Sequence, residues 1–430
     1  MFPIHDRTRR WICRAIFILG GVLPMACVAA WAAVVHSDSH LEAVRRQVAE
    51  VLGLDVRLAS VSYPQPGVML LEGLELADSE AKAPLASIRA AEIISDGKSQ
   101  TIVLSQPDVN LARLEWLRTL IDGRMRRRRD KAPLRLAAGE LTLRFRGGAA
   151  TLIDSSAQVE SASEHNTFTA AFRLADAPAT ESVRLRIERS SAGGESASSF
   201  ELDARAAALP CSMLAALVER RNSLGEKSML RGAIRATQMP DGWQGEFSGR
   251  LENIDLNDLV TDQFPHRLSG KGTMIVGKAI MHSGRVEEFH GTMSAGPGIV
   301  SDSLLASAAD NLKMRREGSR TATSTTDYEE LSAAFDLDAR GLVVRGTCKD
   351  NRPGIVMCGR EGAILWQTTG GPVPVVALVK TLVPDSQTQV PATRQTDWLL
   401  NLLPIPDVQP HDPSAPPEAR LRLPDAAIRK

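Results

Sequence analysis

The chain has 430 residues, and its 51 acidic side chains balance its 51 basic ones. This neutrality argues against a nucleic-acid partner, because affinity for nucleic acid comes mostly from a basic surface. Aromatic residues make up only 4% of the chain, which is few for a protein that stacks bases or binds carbohydrate through aromatic side chains. Apolar burial must therefore rest on Leu, Val, Ile and Ala.

An uncharged stretch from Ala15 to Val35 follows four arginines near the N-terminus. As a helix with a rise of about 1.5 Å per residue it reaches roughly 30 Å, the thickness of the hydrocarbon core of a bilayer. The positive charge precedes this stretch, so the sequence predicts a cytoplasmic segment (1–14), a transmembrane signal-anchor (15–35) that crosses the membrane once, and a remainder on the non-cytoplasmic side. An A-x-A-like site at Ala30 to Ala32 leaves cleavage as a signal peptide open.

The next region, 39–132, is predicted to be a helix followed by a β-meander. Ser39 and Glu42 have the spacing of a capping box, apolar residues follow at helical spacing, and Gly53 is placed to end a helix over Ser39–Leu52. After Gly53 the apolar period changes to two, with Val68, Leu70, Leu74 and Leu76 among the alternating positions.

Strands dominate again in the region 133–406. Short helices are expected there over Ser301–Met314 and Val376–Leu382. The segment 407–430 is rich in proline and charge and is predicted to be disordered. The fold class is therefore mainly β with short helices (α+β), built on an extended antiparallel sheet.

Catalytic signatures fail on their context. Gly97–Ser99 matches the end of a phosphate-binding loop, but neither the required first glycine nor the following helix is there. His282 and His290, with Glu288 nearby, could approach each other on a hairpin, although such residues are more often solvated strand positions. The sequence thus predicts a protein that is not an enzyme, with no catalytic residues, no cofactor and no metal.

Cys348 and Cys358 flank a turn that contains Pro353-Gly354. In an oxidising compartment this spacing could close a cross-strand disulfide, and two buried thiols are the alternative. Neither has the spacing to a second cysteine or a histidine that is typical of metal sites.

One dense run of positive charge interrupts the chain between the two predicted regions. The run either is a solvated helix end or contacts anionic lipid headgroups or an anionic envelope polymer. It consists of Arg124, Arg126, Arg127, Arg128, Arg129 and Lys131.

After the anchor come a helix end at Val51–Val56, the strand pattern of Gly67–Leu71 and Glu72–Asp78, and Gln106–Leu111. This order of features resembles the start of the AsmA-like family of envelope proteins. The resemblance implies that the anchor crosses a bacterial inner membrane once and that the bulk of the chain is periplasmic. It implies a long, curved sheet open along one side, with an apolar concave face. It also implies a role in envelope maintenance and, through the family's similarity to bridge-like lipid-transfer proteins, in moving phospholipid. This chain is short for such a role, and the resemblance supplies no catalytic residues.

Two functions follow as hypotheses. The first is an anchored, non-enzymatic envelope protein whose β-groove binds or transfers phospholipid, with membrane lipids and their acyl chains as partners. The alternative is an assembly or scaffold protein that contacts other envelope proteins through its sheet edges and carries no lipid. The two differ in whether the apolar face of the sheet is open or is sealed by the protein's own helices.

Overall fold

The computed structural model describes residues 11, 14–35, 37–78, 83–111, 121, 133–161, 165–190, 197–217, 222–317, 324–349 and 352–383. The predicted basic run from Arg124 to Lys131 and the predicted tail 407–430 lie outside the described residues.

The N-terminal apolar segment is a helix over Arg14–Val35, 22 residues long, and none of its most apolar window is buried against the rest of the chain. It is π-helical over Ile18–Val22 and continues as α1 (Leu23–Val35). Its length and composition suffice to cross a membrane, as predicted, and a signal sequence would share both properties.

The helix α2 (Asp38–Leu52) begins one residue earlier than predicted. Its N-cap is Ser37, whose hydroxyl accepts a hydrogen bond from the backbone N–H of His40 at 3.4 Å, so the capping box predicted at Ser39 is wrong. Gly53 ends the helix with φ of 69°, a left-handed conformation that glycine adopts without steric cost.

Twenty-two strands and three further helices follow in the described part of the chain. The first ten strands are β1 (Asp55–Arg57), β2 (Ser60–Gln65), β3 (Val68–Ala77), β4 (Pro84–Ser95), β5 (Gln100–Asn110), β6 (Leu134–Phe145), β7 (Gly148–Ser161), β8 (His165–Leu174), β9 (Val183–Ser190) and β10 (Ala197–Asp203). The next five are β11 (Leu209–Pro210), β12 (Met229–Met239), β13 (Gly242–Asp255), β14 (Lys271–His282) and β15 (Arg285–Ala295). The last seven are β16 (Gly298–Ser301), β17 (Met314–Arg316), β18 (Thr325–Tyr328), β19 (Glu330–Asp338), β20 (Gly341–Gly346), β21 (Ile355–Gly359) and β22 (Gly362–Thr368). The helices are α3 (Cys211–Leu217), α4 (Asp302–Leu312) and α5 (Val376–Leu382), with a π-helical turn at Asn257–Thr261.

Among these strands, twenty form one sheet, and β16 and β18 form a small second one. Neighbouring strands pair antiparallel from β3 to β5, from β6 to β10 and from β12 to β15, and β15 then pairs with β19. The pair β5–β6 is parallel, so the predicted antiparallel sheet is in fact mixed.

The hydrophobic core is divided into clusters along the sheet instead of being gathered in one place. α2 packs through Val44 on the strands β1 to β4. α3 contributes Met213 to a second cluster with Val183 and Leu202. α4 and α5 cover the C-terminal strands. Each described helix therefore covers only a section of one face.

Candidate functional site

The strand register places an apolar side chain at the same level of fourteen successive strands. Residues directly opposite each other in paired strands project from the same face of a sheet, so these side chains form one line across the strands. This line, called the apolar row below, is Met69, Ile93, Ile102, Leu136, Ala157, Ala170, Leu185, Leu202, Ile234, Phe247, Ala279, Phe289, Leu337 and Leu342.

The apolar row is long and only partly covered. Strands lie about 4.8 Å apart, so the row extends roughly 60 Å along the sheet. Leu202, Ala279, Leu337 and Leu342 are buried. The other ten side chains are half-buried, as expected for a sheet face flanked by its own strands but not fully sealed from above.

A second apolar line runs beside the row, two residues further along each strand. It consists of Leu134, Val159, Phe168, Ile187, Phe200, Ala236, Gly245, Met281 and Val286. Beyond it on the same face, Trp243 is 45% exposed. Since Gly245 has no side chain, the apolar band is two side chains wide over eight of these nine strands, and the two lines lie about 7 Å apart.

On eight of these strands, β5 to β10 with β12 and β13, the opposite face is polar at this level. The residues next to the apolar row in sequence point to this opposite face. They are Thr101, Arg135, Gln158, Thr169, Arg186, Glu201, Arg235 and Glu246. These charges pair across strands: Arg235 Nε, for example, lies 2.9 Å from Glu201 Oε1. The sheet is therefore strongly two-faced, with water as the natural neighbour of one side only.

Left-handed residues keep the apolar side chains on one face over the full length of the strands. Gly73, Gln106 and Asp154 have φ of 62°, 49° and 51°. At each of these kinks the alternation shifts by one residue, so that Leu71 and Leu74 are both buried although they are three positions apart. The alternating positions predicted at Val68, Leu70, Leu74 and Leu76 all lie in β3. Because of the shift at Gly73, Leu74 and Leu76 are buried while Val68 and Leu70 are half-buried.

The histidines considered as metal ligands are bound to carboxylates on the polar face. His282 Nε2 lies 2.7 Å from Asp241 Oδ2. His290 lies between Glu288 and Asp336, with each ring nitrogen 2.8 Å from a carboxylate oxygen. Hydrogen bonds from Lys278 and then from His290 lower the pKa of Glu288. These contacts fit solvated strand positions.

A shallow depression of about 690 Å³ lies along the line of kinks, lined by Arg89, Gln106 and Glu140 among others. The guanidinium of Arg89 donates to Gln106 Oε1 at 3.2 Å, so the two side chains satisfy each other. The depression offers a polar rim without an acid–base pair aimed at a common point.

Cys348 and Cys358 are thiols in the structure, and their sulfur atoms lie within 4.8 Å of each other. The fold thus brings the two cysteines together, and the disulfide stays a prediction. Sequence reasoning missed the carboxylate of Glu330, which has an oxygen within 4.8 Å of both sulfur atoms. No local sequence pattern indicates Glu330 as a neighbour of the cysteines, because it reaches them through the pairing of β19 with β21.

In comparisons with known proteins, no family model, no curated protein and no solved structure matches the chain. The resemblance to AsmA-like proteins stays a prediction.

Proposed function

We propose that the chain is a membrane-anchored, non-enzymatic envelope protein that binds phospholipid acyl chains on the apolar face of its sheet. The observation that carries this proposal is the apolar row, which crosses fourteen strands without one polar side chain. Exposing an apolar surface of this length to water costs about 25 cal/mol per Å² of apolar area. A hydrocarbon chain would remove that cost, at about 0.8 kcal/mol per buried methylene.

The length of the apolar row favours a lipid over a compact apolar ligand. A bilayer core of about 30 Å allows about 15 Å for one acyl chain, so a row of roughly 60 Å has room for several chains end to end. The section of the row proposed to bind lipid runs from Ile93 to Leu185 and is half-buried. Ile121 packs beside it, against Val159 and Phe168 of the second apolar line, and would share this face with the lipid. The N-terminal helix would hold this surface next to the membrane that supplies the lipid.

The test compares neighbouring residues that face opposite sides of the same strand. Ala170→Asp places a carboxylate in the apolar row, and Thr169→Asp places the same group on the polar face. Gln158→Asp and Ala157→Asp form a second matched pair on β7. Lipid that copurifies with the full chain in detergent is extracted and quantified by mass spectrometry, and uptake of a fluorescent phospholipid is measured in parallel.

Ala170→Asp and Ala157→Asp should lower the lipid content at least about tenfold, because a carboxylate resists burial against hydrocarbon by several kcal/mol. The polar-face variants should keep the wild-type content. Circular dichroism and thermal unfolding of all four variants verify that the fold is intact. A wild-type protein that holds no phospholipid and takes none up would contradict the proposal and support the scaffold alternative.

The anchor is tested separately by the mass of the N-terminus in the membrane fraction. An uncleaved N-terminus is expected for a signal-anchor. A mature chain that starts near Ala33 would show that the segment is a cleaved signal peptide.

A further inference from the structure

A carboxylate and two cysteines meet at the end of β19. Glu330 is the direct partner of Cys358 in the antiparallel pairing of β19 with β21. Cys348 follows β20 and is held nearby, since its backbone N–H donates to Ile355 O at 3.1 Å. As a result, one ligand atom from each of Glu330, Cys348 and Cys358 lies within 4.8 Å of the other two.

The three groups repel one another when they are ionised. A cation bound among them would remove this repulsion. The carboxylate is also fixed in place, because Glu330 Oε2 accepts a hydrogen bond from the backbone N–H of Lys349 at 3.2 Å. Such an outer hydrogen bond is the kind that orients a metal ligand.

We propose that Glu330, Cys348 and Cys358 bind a thiophilic divalent cation, for which Zn²⁺ is the natural probe. Zn²⁺ binds sulfur at about 2.3 Å and carboxylate oxygen at about 2.0–2.2 Å, so the ligand atoms of a tetrahedral site lie about 3.5–3.8 Å apart. The observed cluster is within about one ångström of that spacing, which small side-chain rotations can supply. On binding, the two thiols lose their protons to solvent and the cation takes both thiolates and the carboxylate.

A cation here would tie together β19, β21 and the segment after β20. Three protein ligands also leave the fourth tetrahedral position for water or another ligand. The site lies at the C-terminal end of the sheet and does not depend on lipid binding, so each proposal can fail without the other.

The experiment uses the full chain in detergent, reduced and stripped of metal with a chelator. Co²⁺ is added first, since cobalt bound to thiolate gives a charge-transfer absorption band, and Zn²⁺ is then added to displace it. Zn²⁺ affinity is measured by competition with a chromogenic chelator. The variants are Cys348→Ser, Cys358→Ser and Glu330→Gln, with Cys211→Ser as the control because Cys211 is buried outside the cluster.

The wild type and Cys211→Ser should bind one equivalent of Zn²⁺ and show the cobalt–thiolate band. Each of the two cluster cysteine variants should lose the band, and Glu330→Gln should weaken Zn²⁺ binding at least about tenfold. Addition of Zn²⁺ should raise the melting temperature of the wild type and not of the cysteine variants. Equal affinity in Cys348→Ser and wild type would overturn the proposal. So would an intact mass, measured on protein purified without reductant, that shows Cys348 and Cys358 joined as a disulfide.

Discussion

His266 is a buried polar side chain that connects separate parts of the C-terminal half. It is 2% exposed. Its Nε2–H donates to the carbonyl of Thr381 in α5 at 2.9 Å, and its Nδ1 accepts from the hydroxyl of Ser303 in α4 at 2.9 Å. The two helices that cover the end of the sheet are therefore joined through one imidazole.

Replacing His266 with alanine should lower the free energy of unfolding by about 2–4 kcal/mol. The substitution leaves the buried carbonyl of Thr381 without this partner and also opens a cavity. Chemical denaturation followed by circular dichroism measures the change. His266→Gln retains a donor and should recover part of the loss; an alanine variant as stable as the wild type would show that the connection is dispensable.

Tyr328, the last residue of β18, is a second buried polar side chain that connects separate segments. Its hydroxyl donates to Ser269 O at 2.5 Å, and burial raises its pKa to about 12. Since this pKa lies above the value of about 10 in an unfolded chain, the stabilisation is complete below pH 10 and is lost as the pH rises through about 12.

Tyr328→Phe should therefore cost about 1–3 kcal/mol at pH 7, because the carbonyl of Ser269 loses its donor. The same substitution should remove an ionisation near pH 12 from an ultraviolet absorbance titration. Tyr63→Phe is the control, since Tyr63 is the other tyrosine of the chain. If the high-pH ionisation persisted in Tyr328→Phe, its assignment to this side chain would be wrong.

At the scale of elements, two glycines allow β12 and β13 to approach each other. Gly232 and Gly249 are direct partners in the register. A Cβ on Gly249 would lie 2.4 Å from Arg231 O and 2.6 Å from Gly232 Cα, both of which are backbone atoms. The strands would have to separate to admit a methyl group.

Gly249→Ala should therefore destabilise the protein by about 1–3 kcal/mol, as overpacking does. Gly139→Ala is the matched control within the same sheet, because a Cβ there would meet nothing within 4 Å. Its effect should stay within about 0.5 kcal/mol. Thermal unfolding of both variants makes the comparison, and equal melting temperatures would refute the close approach.

Elements with a strong local signal could be predicted from the sequence. The bounds of α5 agree with the prediction to the residue, because apolar spacing follows directly on a Pro-rich turn. β7 was not predicted, since its Ala- and Ser-rich sequence has weak alternation and depends on β6 and β8 for support. The parallel pair β5–β6 could not be predicted either, because nothing local distinguishes a parallel partner.

The candidate site is less predictable than the strands that build it. Alternation within a strand shows which residues share a face, but the apolar row exists only through the register of thirteen strand pairs. The kinks at Gly73, Gln106 and Asp154 change the alternation inside a strand, and two of these three residues are not glycine. A non-glycine residue with positive φ leaves little trace in a sequence.

At the scale of the whole molecule, the core of the large sheet is divided among several clusters. The described helices cover the sheet in sections, at α2, at α3 and at α4 with α5, and Ile121 packs on Val159 and Phe168 between the first two. The half-buried row continues from cluster to cluster. Under the proposed function, folding and lipid binding use the same face, with different side chains serving each.

If lipid moves along the apolar row, buried positions such as Leu202 must open to admit passing acyl chains. Transfer should then be more sensitive than binding to a single charge. Phe247→Asp, toward the C-terminal side of the row, should lower the rate of phospholipid transfer between vesicles at least about tenfold, because each passing chain would contact the carboxylate. The bound lipid should fall by less than half, since the section from Ile93 to Leu185 stays apolar. Glu246→Gln, on the opposite face of the same strand, is the control. Proportional losses of transfer and binding in Phe247→Asp would indicate a single confined site and exclude movement along the row.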